Sequence, residues 1–195
     1  MRVPSKILSS FLLAACALVA GLCMLRGAHA ADALDTVKRL QREGQIGQAL
    51  TEADRFLATD PKDARMRFLK SVILADIGRT SDATDLLEQL TQDHPTLAEP
   101  YNNLAALYAA AGRYGKAREA LEEAVRLRPD YATAHENLGD VYAALAAREY
   151  ATAAQLDPGR ANLDAKIERI RNVLPPPASA SAPASGRSIS SEPAK

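Results

Sequence analysis

Between residues 31 and 158 the apolar residues recur at helical rather than alternating intervals. Tyr101, Leu104, Leu107, Tyr108 and Ala111 lead to Gly112, and Ala117, Leu121, Ala124 and Val125 then lead to Pro129. Such spacing predicts two amphipathic helices in succession. The glycine ends the first helix and lets the chain reverse, and the proline ends the second because it lacks the N–H that the helical ladder needs. The same punctuation returns every 34 residues: Gly44, Gly78 and Gly112; Ala49, Ala83 and Ala117; Pro61, Pro95 and Pro129. Leu40, Leu74, Tyr108 and Tyr142 carry the interval into a fourth copy. Several series in one register indicate internal repetition.

Each unit is therefore a helical hairpin with one apolar side, which becomes stable by stacking on the next. The repeated alanines leave room for two helices to approach closely. The predicted class is an all-α solenoid of about four copies, 31–63, 64–97, 98–131 and 132–158, followed by a capping helix over 161–174. The last copy is atypical. Pro158 follows Pro129 by 29 residues instead of 34, and the deficit falls on the turn, the segment matching Gly112 to Lys116. With no glycine between Ala144 and Tyr150, the two helices are expected to fuse into one running from about Thr133 to Leu156, with a bent or tightly turned pair as the alternative. Beyond Pro158, Leu163, Ile167, Ile170 and Leu174 share one face of an amphipathic helix. That face would cover the end of the stack or, left exposed, join two protomers into a homo-oligomer through 161–174.

The third copy resembles the tetratricopeptide repeat. With Ala98 as its first residue, Tyr101 stands at the family's tryptophan position, followed by Leu104, small Ala105, Tyr108, Gly112, Tyr114, Ala117, Leu121, Ala124 and Pro129. In the fourth copy Asn137-Leu138-Gly139 with Tyr142 is similar to the family's helix A, and Ala146, Tyr150 and Ala153 match its helix B positions. The second copy departs from the pattern at Arg67 and Lys70. It is expected to pack through Met66, Leu69, Ile73 and Ile77 with the basic stems lying across the surface.

The resemblance implies a concave groove, lined by the first helix of each unit, that grips a peptide or helix of a partner protein. Carried onto this sequence, the groove residues are Arg65, Phe68, Val72, Ala75 and Asp76, then Glu99, Asn102, Asn103, Ala106 and Ala109, then Thr133, Glu136, Asn137, Asp140 and Ala143. Phe68 and Val72, four residues apart on one helical face, are expected to make an apolar pocket, and Asn102 and Asn103 to hold backbone amides of an extended ligand. A purely structural role for Asn103 and Asn137 in repeat packing is the alternative. The clamp by which some family members hold a C-terminal carboxylate is matched only at Asn103, with Phe68, Val72, Thr133 and Asn137 at its other positions. That pattern favours an internal peptide segment or an amphipathic helix, with basic side chains near Glu136 and Asp140.

Two flanking segments stand outside the repeats. Arg2 and Lys6 precede a nearly continuous apolar or small stretch from Ile7 to Leu25, and Ala28-His29-Ala30 supplies a small-x-small cleavage pattern. Residues 1–30 thus read as a bacterial signal peptide, which places the chain in the periplasm or outside the cell. The alternatives are an uncleaved anchor facing the periplasm, since 19 apolar residues just span a bilayer, and lipidation at Cys16 within Leu13-Ala14-Ala15-Cys16. Membrane contact is expected only in those two cases. Residues 175–195, rich in Pro, Ala and Ser, bury too little to order themselves and read as a disordered tail.

Composition narrows the function further. Both cysteines, Cys16 and Cys23, lie in the leader, so the processed chain has no disulfide or thiolate. Beyond residue 30 there are 21 basic against 24 acidic residues, a net charge of −3, which argues against nucleic acid as a partner. No zincin spacing, phosphate loop or nucleophile elbow occurs, so no metal, cofactor or catalytic residue is expected. A small-ligand or catalytic site would have to assemble around His135, with Glu136, Asp140 and His94 as its other members. The reading reached from sequence is a non-enzymatic interaction module or adaptor, with self-association as the structural alternative.

Overall fold

The computed structural model describes residues 30–160 and 162–172. The leader reading at 1–29, residues 173 and 174 of the expected capping helix, and the tail at 175–195 lie outside the described residues. The described chain is helical: α1 over 30–42, α2 Ile46–Thr59, α3 Ala64–Asp76, α4 Thr80–Asp93, α5 Ala98–Ala110, α6 Tyr114–Leu127, α7 Ala132–Leu156 and α8 Leu163–Arg171. Two units are distinct, divided after Pro61.

The first unit contains α1 and α2, joined through Gly44. Its buried residues recur at helical spacing as Ala33, Leu34, Val37 and Leu40, then Ala49, Ala53 and Phe56. The second unit stacks α3 on α4, α5 on α6, and α7 on α6, with α8 against α7. Its core runs through Leu87, Leu90, Leu104, Ala105, Tyr108, Ala117, Leu121 and Ala124, and reaches Ala134 and Val141 on α7.

The turn glycines act as the periodicity requires. Gly112 has φ +70° and follows α5 by two residues. Its N–H donates to the Ala109 carbonyl at 2.9 Å while the Arg113 N–H donates to the Tyr108 carbonyl at 2.8 Å. This paired closure satisfies two of the helix's orphan carbonyls and needs a left-handed residue at its apex. Gly44 and Gly78 repeat the geometry. Ala83 and Ala117, each completely buried, occupy the close-approach positions of α4 and α6.

The fourth copy forms one helix of 25 residues, Ala132–Leu156, rather than a hairpin. Removing the turn leaves Ala143 to Ala147 free to continue the ladder, and every residue there is compatible with a helix interior. The terminal helix is present among the described residues. It spans Leu163–Arg171, with Leu163 buried and Ile167 and Ile170 half-buried.

The second copy corrects two expectations. Met66, Leu69 and Ile73 are buried as expected, but Ile77 is 42% exposed and Leu74 and Ser71 take places in the interior. Arg67 does not lie across the surface. It is only 5% exposed, and its Nη1 donates to Asp93 Oδ2 at 2.6 Å. The guanidinium thus replaces the family's aromatic ring in volume, and the carboxylate at the end of α4 neutralises it.

A candidate binding face on three parallel rows

Helices α3, α5 and α7 are the first helices of their repeats and contact one another in succession. One face of each therefore contributes to a common surface. Asp63 fixes the start of α3, its side chain accepting the Met66 N–H at 2.7 Å, the N-terminal cap that a short polar acceptor provides.

The predicted residues lie on this row but at different depths. On α3, Arg65 is exposed and Asp76 half-buried, while Phe68 is half-buried against the core and Val72 and Ala75 are buried. On α5, Glu99, Asn102 and Asn103 are buried, and Ala106 and Ala109 are half-buried. On α7, Thr133, Asn137, Asp140 and Ala143 are half-buried and Glu136 is exposed. The accessible part of the face thus consists of Arg65, Phe68, Asp76, Ala106, Ala109 and the α7 residues.

Asn102 requires a correction. It was expected to reach a ligand, yet its exposure is 0%. Its Oδ1 accepts from Asn137 Nδ2 at 2.9 Å, and its own Nδ2 donates to Asn103 Oδ1 at 3.3 Å. Asn102 and Asn137 therefore tie α5 to α7, the packing role that was the alternative for Asn137. Asn103 is different. Its Oδ1 is used, but its buried Nδ2 has no hydrogen-bond partner among the described residues. Leaving such a donor unsatisfied costs about 1–3 kcal/mol, and its burial withdraws Asn103, like Asn102, from the accessible part of the face.

Glu99 is also withdrawn from the surface. Arg128 Nη1 donates to its Oε1 at 2.5 Å, and the same guanidinium lies 3.6 Å from the centre of the Tyr131 ring. This pair fastens the start of α5 to the segment leaving α6. Sequence reading missed it, although Arg128 holds the place just before the repeated proline. A second series was visible in the period: Tyr108 donates to Glu88 at 2.5 Å and Tyr142 to Glu122 at 3.0 Å, each pair 20 residues apart and each residue shifted by 34 between copies. Burial, reinforced by the bond to Glu88, pushes the Tyr108 phenol up to about 12.

His135 does not gather a reactive cluster. It is exposed, with Nε2 2.9 Å from the Pro129 carbonyl oxygen, and His94 Nε2 lies 3.3 Å from the Lys62 carbonyl oxygen. Among the described residues no group of three or more His, Cys, Asp or Glu side chains is placed to hold a metal ion. No helix among them is long and apolar enough to cross a membrane.

Comparison with known proteins agrees with this architecture. Residues 24–98 match the family described as tetratricopeptide repeat, and residues 107–145 match the one described as TPR repeat; together they cover more than half of the chain. No curated protein matches it. Among solved structures, MamA aligns with a TM-score of 0.56 at 23% identity, covering 72% of this chain and 79% of that one. The pilF protein of Pseudomonas aeruginosa gives 0.53 at 19% identity, covering 72% and 67%. The first TPR of Spaghetti (RPAP3), bound to the HSP90 peptide SRMEEVD, gives 0.56 at 15% identity, covering 58% and 90%. These likenesses concern the fold. With the 34-residue period, the left-handed turn glycines and the sealed alanine positions, the matches establish that the chain belongs to the tetratricopeptide-repeat family.

Proposed function

We propose that this chain is a non-enzymatic interaction module that holds a segment of another protein against the face of α3, α5 and α7, outside the cytoplasm in a bacterial periplasm. The observation that carries the reading is the accessible row that three successive first helices share, with Arg65 and Phe68 on α3, Ala106 and Ala109 on α5, and Glu136 and Asp140 on α7. Phe68, Ala106 and Ala109 offer a bound segment apolar contact. Glu136 and Asp140 on the neighbouring helix suit basic side chains on the same segment. An internal stretch is favoured over a chain terminus, because Phe68, Val72, Thr133 and Asn137 supply no cation for a terminal carboxylate. The export-like leader supports the location.

The test is co-purification of the chain from the cells that express it, comparing the natural sequence with an Ala106→Asp, Asp140→Lys variant. Both positions are part of the accessible surface, and the structure assigns neither to the sealed floor, so helicity and melting should stay unchanged. The variant should lose a specific protein partner. Retention of every partner by a folded variant would refute the assignment of the face.

A further inference from the structure

The fused α7 keeps both halves of a hairpin interface that it can no longer close on itself. In the third copy the inner positions seal one another: Ala105, Ala117, Leu121 and Ala124 are essentially inaccessible and Tyr108 is 7% exposed. Their equivalents in the fourth copy are open. Gly139 is exposed, and a Cβ built on it meets nothing within 4 Å, although this is the position where a neighbouring helix normally comes closest. Tyr142 is 48% exposed, and Ala146, Tyr150 and Ala153 are only half-buried.

Loss of the turn explains the difference at Tyr142. The Tyr108 ring is covered by the Arg113 guanidinium at 4.7 Å and the Lys116 ammonium at 5.4 Å, both from the segment whose counterpart the fourth copy lacks. Tyr142 keeps its bond to Glu122 on α6 but has lost that cover. Because Leu138, Tyr142, Ala146, Tyr150 and Ala153 recur every three or four residues, they fall on one stripe of a continuous helix. The first two are helix A positions and the last three are helix B positions.

We infer that this stripe pairs with α7 of a second copy of the chain, running antiparallel about Ala144, so that each protomer's helix A half packs against its partner's helix B half. A second copy is the occupant the pattern selects, since one antiparallel α7 supplies both missing halves at once. Pairing about that centre puts Tyr142 opposite the partner's Ala146 and Leu138 opposite the partner's Tyr150. Glu149, which in angle falls on the stripe between Leu138 and Tyr142, then faces the partner's Gly139, where no side chain obstructs it. Such a contact is isologous and closes as a dimer. Helix α8 is compatible with it, lying on the Tyr150 side with Lys166 Nζ 4.9 Å above that ring, where the first helix of a following repeat would sit. This interface is separate from the face of α3, α5 and α7 and does not depend on what binds there.

Sedimentation of the full chain, as recovered from the cells that express it, tests the inference over a roughly hundredfold concentration range, since association follows mass action. The expected species has twice the mass of one chain. An Ala146→Glu substitution should halve that mass with helicity retained. As a variant that does not rely on disrupting the stripe, inserting Gly-Arg-Tyr-Gly-Lys after Leu145 should restore the turn, close the hairpin within one chain and also give a monomer. A natural chain that is monomeric throughout the range would overturn the proposal. So would a dimer that survives both Ala146→Glu and the insertion, which would place self-association elsewhere, as in α8.

Discussion

Gly112 and Gly115 lie three residues apart in the same turn, and replacing each by alanine should change stability in opposite directions. At Gly112 the backbone sits at φ +70° and a Cβ would meet nothing within 4 Å, so the cost is conformational rather than steric. Holding an L-residue in the left-handed region costs about 1–2 kcal/mol. Loss of glycine's freedom in the unfolded chain returns about 0.4–1 kcal/mol. The net expectation for Gly112→Ala is destabilisation of about 0.5–1 kcal/mol. Gly115 is the second residue of α6, has ordinary helical backbone, and also has open space around a built Cβ. There only the favourable terms remain, so Gly115→Ala should stabilise by about 0.5–1 kcal/mol. For a chain of this size those changes correspond to melting shifts of about 2–4 °C per kcal/mol. Urea unfolding followed by far-ultraviolet circular dichroism would measure both. Equal signs, or a neutral Gly112→Ala, would refute the left-handed closure as the device that turns each repeat.

Other outcomes follow from the packing and the ion pairs. Leu121→Ala removes a completely buried side chain from the centre of the core and should cost about 2–5 kcal/mol in denaturant unfolding. Asn137→Ala strips Asn102 Oδ1 of its donor in a sealed site and should cost about 1–3 kcal/mol, whereas Asn137→Asp, which keeps no donor, should not rescue it. The hydrogen bond from Arg67 holds the Asp93 carboxyl below its ordinary value. A folded-state value below the unfolded one means that the contribution is present above the usual aspartate range and is lost as pH falls through the folded value. The stability gap between the natural chain and Asp93→Asn should therefore be present at neutral pH and close in acid. Tyr108 shifts the other way: its contribution holds below the ordinary phenol range and fades as pH rises towards about 12. Ultraviolet titration should show Glu88→Gln lowering that value.

What was legible in the sequence was local or periodic. The reversal at each glycine depends on a few neighbouring residues, and the fusion of α7 follows from five absent ones, so both could be read without coordinates. The row of α3, α5 and α7 was also legible, because the period assigns every residue a place on its helix. Depth along that row was not. Asn102 is sealed by Asn137, 35 residues away, and Glu99 by Arg128, 29 residues away, and neither partner is marked by composition alone. Arg67 was misread for the same reason: a guanidinium in a core position looks like a surface residue until Asp93 is placed beside it.

The proposed place where another protein binds is the face of α3, α5 and α7. A photocrosslinking residue at Ala106, half-buried on that face, compared with one at Gln89, exposed on α4, tests it in living cells. A discrete adduct with a different protein at position 106 and none at 89 is the predicted result. No adduct at 106, or the same adducts at both positions, would contradict it.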